Sequence, residues 1–499
     1  MRYSLQILSI IILIVVSSCR KDFSTVPNFG KLEFSKDTVF LDTVFTNIGS
    51  ATYNLKIYNR GNKAITIPEI KLENGVTSNY RLNVDGIPGK NFNDIDILAN
   101  DSIYVFVETT IDFGTITNPL YTDKILFDNG NIQQDVDLVT LVQDANFIFP
   151  SKNSMGIETL TIDGKDSKIQ GRFLKDSELT FTDQKPYVIY GYAAVPADKT
   201  LTINAGAKVH FHKNSGLIID KKGSLKINGT LNKKVVFEGD RLEHAFTNIS
   251  GQWGTIWMRA GSKENEINHT LIKNGVVGIL VDSIGSTTSP TLSIKNSEIY
   301  NNSNYGILGR NSNILGENLV IGSTGQSSLA CTFGGTYNFT HSTFANYWGN
   351  SLRQLPTVLV NNHVTISDSN NNETILIRDL LAANFTNCII DGNNNVEFIL
   401  DKVDGSAFNY NIENSMIQFN DFNNSFTNNT ELNFNDVSHY QNNILNGKPH
   451  FRDTSKNDFI IGKESGAINK AKASSISEDI LGISRTINPD IGAYQHITF

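Results

Sequence analysis

Cysteine is scarce in this chain of 499 residues: only Cys19, Cys331 and Cys388. Three thiols make no disulfide framework, so the cores must hold without staples. Cys331 and Cys388 could pair, but they read more simply as small buried side chains. Alanine-rich helical stretches are missing. So is an excess of basic charge: 42 Lys and Arg stand against 50 Asp and Glu, a net −8. This excludes the clustered basic surface that a broad grip on nucleic acid needs. After the N-terminal region no run of 18 apolar residues occurs, so no later segment reads as a spanning helix.

What is abundant is Asn, Ile, Thr and Gly, the composition of short strands joined by many turns. The chain is too long for one ordinary core and suggests two or three domains. The expected fold class is all-β.

Residues 1–22 read MRYSLQILSIIILIVVSSCRKD. Arg2 supplies the charged start, and Leu5 to Val16 is an apolar run too short to span a membrane but suited to a signal peptide. The run ends in "VSSC", which resembles a bacterial lipobox. That resemblance implies cleavage after residue 18 and acylation of Cys19. Several acyl chains give a lasting anchor, each buried methylene adding about 0.8 kcal/mol. The style of "SSCRKDF" resembles lipoproteins of the Bacteroidetes. The expectation is a cell-envelope protein, held at the outer membrane and either periplasmic or surface-exposed, with residues 19–30 as a tether.

Residues 31–145 alternate apolar and polar side chains in short runs: "NLKIYN" (54–59), "AITIPEIKL" (64–72), "YRLNVDG" (80–86), "SIYVFVETTID" (102–112), "KILFDNG" (124–130) and "DVDLVTLV" (135–142). Turn signals such as Arg60-Gly61-Asn62 and Asn129-Gly130 separate them. This is the pattern of an antiparallel β-sandwich. The stretch "DTVFTNIGSATYNLKIYNRGNKAITIPEI" resembles immunoglobulin-like domains of the HYDIN and ASPM type, which implies a spacer or a binding module.

From about residue 200 a polar residue recurs three positions before an apolar one. The pairs are His269/Ile272, Asn296/Ile299, Glu317/Val320, His341/Phe344, His363/Ile366, Asn387/Ile390 and Asn414/Ile417. Their first members are 27, 21, 24, 22, 24 and 27 residues apart. Such a period signals a solenoid. Stacked coils would pair short strands in parallel at ~4.8 Å, so about ten coils make a rod ~50 Å long. Asn at a tight corner can hydrogen-bond neighbouring coils, so Asn296, Asn387 and Asn414 are expected to form a ladder. His341 and His363 are read as substitutes for Asn in it.

The segment 201–240, with "GQWGTIWM" (251–258) and "NGVVGILVD" (274–282), resembles bacterial right-handed parallel β-helix proteins of the pectate-lyase-like superfamily. The resemblance implies an N-terminal Ig-like sandwich followed by a right-handed β-helix over 201–445, with 146–200 as linker and N-terminal cap. The pieces "FRDTSKNDFIIGKESGAIN", "DILGISR" and "PDIGAYQ" resemble the closing segment of such proteins, so 446–499 is expected to cap the distal end. Gly466, Asn469 and Gln495 depart from the usual Pro, Asp and Glu.

A catalytic set is not visible. Lyases of this fold need Ca²⁺-holding carboxylates plus a basic residue, and hydrolases need paired acids. The outward candidates Arg259, Lys273, Asp282, Lys295, Glu298, Arg310, Arg378 and Asp379 form no recurring cluster and read as solvated charges. His210 and His212 should face out on one strand, where a His-x-His pair could touch a ligand, although no third metal ligand is visible. Trp253 and Trp257 could stack on sugar rings. The expectation is a lipid-anchored rod that binds polysaccharide or another surface ligand without catalysis and without a resident metal or cofactor. The alternatives are a polysaccharide lyase, with Ca²⁺, or a glycoside hydrolase, and a structural envelope protein with a protein partner. The oligomeric state is not legible.

Overall fold

The computed structural model describes residues 24–154, 156–283, 289–368 and 371–499. The expected signal peptide and Cys19 lie outside the described residues. The chain is all-β, with no α-helix among the described residues. It divides into two compact units, one ending at Asp144 and one spanning Ala145–Phe499.

In the first unit every quoted apolar–polar run holds a strand: Tyr53–Tyr58, Ile65–Leu72, Tyr80–Val84, Ser102–Thr109, Leu120–Phe127 and Gln134–Gln143. Two sheets form. One runs Glu33–Phe34, Tyr53–Tyr58, Ser102–Thr109, Tyr80–Val84, Ile87–Gly89, and all its pairs are antiparallel. The other is centred on Ile65–Leu72, Leu120–Phe127 and Gln134–Gln143. Alternation decides what is buried, because successive side chains of a strand point to opposite faces. In Ser102–Thr109, Ile103, Val105 and Val107 enter the core while Tyr104 and Phe106 face water.

The second unit is dominated by one large sheet in which most strands pair in parallel with the strand three places later. The chain therefore lays down course upon course. Pairing starts at Asn146–Ile148, on Tyr187–Ile189, so residues 146–200 already contribute strands. One inward file runs Val209, Phe237, Ile272, Ile299, Ile321, Phe344, Ile390, Ile417 through successive register pairs. None is more than 1% exposed. Full burial of such a side chain contributes about 1.5–3 kcal/mol.

The sequence period matches this file with two corrections. The pair Glu317/Val320 is one residue out of register: Ile321 is the inward residue, and Val320 faces the other way. His363 and Ile366 are not in the stack at all. They belong to an antiparallel hairpin, His363–Ser367 with Glu373–Ile377, inserted within one course. Hence His341 and Asn387 are corner neighbours although 46 residues apart.

The corners explain the Asn usage. His269, Asn296, Asn318, His341, Asn387 and Asn414 all have φ between 45° and 57°. Asn tolerates this left-handed conformation better than most side chains. Asn318 Nδ2 donates to Asn296 Oδ1, and Asn296 Nδ2 to Asn268 Oδ1, both at 3.0 Å. Asn387 Nδ2 stands 3.0 Å from the His341 ring, which burial holds neutral by pushing its pKa down to about 3. The Asn414 amide instead donates to the Lys470 carbonyl at 3.0 Å. Buried groups just past the corners carry more of the linkage. Ser297, Ser342 and Ser415 accept from Thr270, Leu319 and Cys388 backbone N–H groups. Asn302 and Asn346 accept from Gly275 and Thr324 at 3.0 and 2.9 Å. Cys331 and Cys388 are free and buried.

Residues 446–499 lie along the side of the stack rather than across its end. Phe459, Ile461, Ile480, Ile491 and Ala493 cover the outward apolar residues Val320, Ala345, Ile389 and Met416. These outward positions would otherwise leave an apolar stripe in water. The strap is pinned by the corner residues: Asn387 both donates to and accepts from Lys472 at 2.8 Å, and Asn318 donates to the Glu478 carbonyl at 2.9 Å. Gln495 Oε1 accepts from Arg485 and from the Asp490 N–H, so an amide serves as acceptor where the resemblance led to expect an acid. The core end is covered by Leu432, Tyr440 and the half-buried Phe419, Phe426 and Phe434.

Substituting Asn346→Ala strands the Thr324 N–H and carbonyl, which its amide satisfies from a fully buried position. It should lower the unfolding free energy by about 2–3 kcal/mol. Asn414→Ala, at a half-buried corner, should cost less than about 1 kcal/mol. Denaturant melts of the two variants giving equal losses would refute this division of labour.

Candidate functional site

Strand polarity places a second outward file on another face of the stack: Ile218, Trp257, Leu280, Leu308, Ala330, Leu359 and Ile399. Two residues further along each strand the file is polar. There Asp282 faces Arg310, and Arg310 faces Thr332. The inserted hairpin stands beside this face and turns it into a groove of about 790 Å³. Leu308, Leu359 and Phe333 give it apolar surface, and Asn311, Asn361, Thr332 and Thr365 give it neutral polar groups.

Phe333 is the unusual residue. Its φ is 59°, and Gly334 and Gly335 follow at 73° and 117°. Left-handed backbone at a bulky aromatic costs about 1–3 kcal/mol and persists only where the surroundings impose it. Here Asn361 Oδ1 accepts the Phe333 N–H at 2.9 Å, and Gly335 donates to the Asp379 carbonyl at 2.9 Å. A Cβ on Gly334 would meet that same carbonyl oxygen at 2.5 Å. The strained turn thus seats the Phe333 ring at the foot of the hairpin, half-buried. The exposed Arg378 guanidinium lies 5.3 Å from the ring centroid. No carboxylate among the described residues forms an ion pair with Arg378.

The other charges of the groove are engaged. Arg310 grips Asp282 with two bonds of 2.6 and 2.8 Å, and Asp282 also accepts the Trp257 indole N–H at 2.8 Å. His363 lies 3.6 Å from Asp401. The groove therefore offers an apolar floor, amide and hydroxyl walls and one cation without a carboxylate partner among the described residues, its Nη1 donating to the Ile377 carbonyl at 3.3 Å. Its one carboxylate among the described lining residues is already neutralised. A second cleft of about 560 Å³ lies between the Asn268–Asn296–Asn318 corner and residues 475–482 and is lined mainly by polar groups.

The structure relocates several residues singled out in the sequence. Trp253 is a core residue, 1% exposed, stacked on Phe211 at 4.4 Å with its N–H on the Lys273 carbonyl; it has no face for a ligand. Trp257 packs beside Leu160, Ala194 and Ile218. His210 points away from the inward file but is covered, 2% exposed, and burial lowers its pKa. His212 stacks on Tyr190 at 4.3 Å and contacts Asp240 at 2.8 Å. The two rings do not form a shared exposed pair. Most of the outward charges pair along the courses: Arg259 with Asp220 and Asp163, Lys273 with Glu238, Lys295 with Glu317, Glu298 with Lys234. Asp379 accepts from the Ala407 N–H. Among the described residues no group of three metal-ligating side chains gathers. Asp282, Arg310 and Arg378 do meet, in the groove. Phe333 and His363 were missed there, although the string Phe333-Gly334-Gly335 carries the signal of a strained turn.

No protein-family model matches this chain, and no curated protein is similar to it. Among solved structures, a GH87 α-1,3-glucanase catalytic unit from Streptomyces thermodiastaticus aligns at 11% identity over 73% of this chain and 74% of that one, with a TM-score of 0.25. A family 123 glycoside hydrolase from Clostridium perfringens, studied for glycolipid glycan hydrolysis, aligns at 11% identity over 22% of this chain and 25% of that one, with a TM-score of 0.16. TM-scores this low do not establish a shared fold.

One acid outside the groove is strongly perturbed. Asp391 is 4% exposed and accepts from the Tyr347 hydroxyl at 2.8 Å and from the Gly392 N–H at 2.6 Å. Burial outweighs these bonds and pushes its pKa up to about 6. An acid with a raised folded pKa holds its proton more tightly folded than unfolded. The stability this group contributes is then fully present below about pH 4 and is lost as the pH climbs through about 6. Asp391→Asn should therefore stabilise the protein by about 1–3 kcal/mol at pH 7.5 and by almost nothing at pH 4. Thermal or denaturant melts at the two pH values check this; an equal effect at both would exclude it.

Proposed function

We propose that this chain is a lipid-anchored cell-envelope protein whose stacked courses form a rod that binds polysaccharide without transforming it. The first unit is read as an Ig-like sandwich, supported by its two facing sheets. The second is read as a right-handed parallel β-helix, supported by parallel pairing of strands one course apart. Cys19 as the acylated residue is supported by the apolar run that ends beside it.

The observation that carries the binding reading is the strained Phe333 turn, which holds an aromatic ring in the groove beside Arg378, a cation without a carboxylate partner among the described residues. Rings with an apolar face and a polar rim, as sugars have, suit such a surface. Engagement of Asp282 by Arg310 favours binding over catalysis. A hydrolase needs two available carboxyl groups, and a lyase needs carboxylates for Ca²⁺ with a base beside them. No cofactor is assigned.

Residues 20–499 should be retarded in native gels containing either acidic or neutral soluble polysaccharides, with no new ultraviolet absorbance and no new reducing ends, with or without Ca²⁺. Phe333→Ala/Arg378→Ala should weaken retardation by the groove's glycan about tenfold or more. Release of product would overturn the reading and make the protein a polysaccharide-cleaving enzyme. In cells, Cys19→Ala should shift the protein from the membrane fraction to the soluble fraction. Unchanged fractionation would remove the lipid anchor from the proposal.

A further inference from the structure

The first unit carries an exposed feature that a mere spacer would not require. On the outer face of the five-stranded sheet, the central strand Ser102–Thr109 presents Tyr104, 45% exposed, and Phe106, 39% exposed. Polar residues are the usual occupants of solvent-facing positions on such a sheet. The two rings lie 5.9 Å apart between centroids and only 15° from parallel. Cross-strand register puts Asn54 and Asn83 on either side of Phe106 and Lys56 beside Tyr104. The Lys56 ammonium stands 5.2 Å from the Tyr104 ring and 5.3 Å from the Tyr58 ring.

The surrounding charges compensate each other. Arg60 pairs with Glu33 at 2.9 Å, and Arg81 lies 3.6 Å from Glu108. What remains beside the rings is two amides, one ammonium, the Tyr58 ring and the exposed Asp85, whose N–H donates to the Tyr104 carbonyl at 3.1 Å. With about 150–250 Å² per aromatic side chain, these exposures leave on the order of 150–200 Å² of ring surface. A stable protein–protein interface needs about 800 Å² on each partner. The ring surface alone is a small part of such an interface, and its size suits one or two sugar rings.

We propose that this face is a second carbohydrate contact, independent of the groove, that takes uncharged pyranose units of a glycan. Tyr104 and Phe106 stack on the C–H faces of the sugar, and Asn54, Asn83 and Lys56 bond its hydroxyls. An acidic glycan would call for a pair of free cations, and here the arginines are already paired.

The test uses residues 20–499 in native gels with and without dextran, α-mannan, xyloglucan or mixed-linkage β-glucan. Three proteins are compared: the parent, Tyr104→Ala/Phe106→Ala, and the groove variant Phe333→Ala/Arg378→Ala. Both substituted sandwich residues are exposed, so the thermal midpoint should stay at the parent value. The expected result is retardation of the parent by at least one of these glycans, a tenfold or greater loss of affinity in the sandwich variant, and retention by the groove variant. A sandwich variant that migrates as the parent does in every gel overturns the proposal, whether the parent is retarded or not. Loss in the groove variant alone would leave the groove reading standing and this one refuted.

Discussion

A stack of parallel courses exists only if every course re-enters the same register, and here that register is set at the corners. A residue in left-handed backbone turns the chain, and a buried hydroxyl or amide just beyond it accepts a backbone N–H from the course before. The two devices act together. The turn aims the next strand, and the buried acceptor removes the penalty of an unpaired N–H that a one-residue slip would create. A slip would also rotate every inward Ile, Val and Phe to the outside. The apolar file supplies most of the stabilisation, but the corners decide which residues belong to it.

With register set locally, the faces between corners are free to vary. An insertion within one course leaves the pairing of its neighbours intact, and that freedom produces the hairpin beside the Leu308–Leu359 face. Arg310 lies one course from Asp282, and Lys295 one course from Glu317. Outward charges in parallel strands come into pairs at the strand spacing. Exceptions therefore stand out, and the cation of Arg378 is one of them.

Much of the architecture was legible because its causes are periodic. Alternation in residues 54–142 announced the strands of the first unit, and the Asn–x–x–Ile rhythm announced the stack. Five of the seven repeat pairs fell on their true positions. The rhythm failed at Glu317, where Asn318 makes the corner, because adjacent polar residues cannot be ranked without knowing the backbone. It failed at His363 because an insertion that happens to match the period is indistinguishable from a course. Sites were less legible. Trp253 and His210 carry ligand-binding chemistry by type, yet Trp253 packs in the core against Phe211 and His210 lies under Glu238 and Gly239 of the next course, placements that depend on how courses stack rather than on residue type. The charged residues of the groove were visible singly, but only the stacking brings Asp282, Arg310 and Arg378, spread over 96 positions, to one place. Phe333 carries no signal of its own by residue type, because aromatic side chains in a β protein default to the core.

The strap has a consequence for how the protein is made. Tyr494 and Glu298, 196 positions apart, end within 3.4 Å of each other. Courses can close one after another as the chain emerges from its start, each on the one before. The stripe of Val320, Ala345, Ile389 and Met416 must wait, bare, until residues 459–494 arrive. Until then the stack is nearly complete but carries one adhesive flank. A stack without residues 446–499 would present that flank to chaperones, proteases and its own copies.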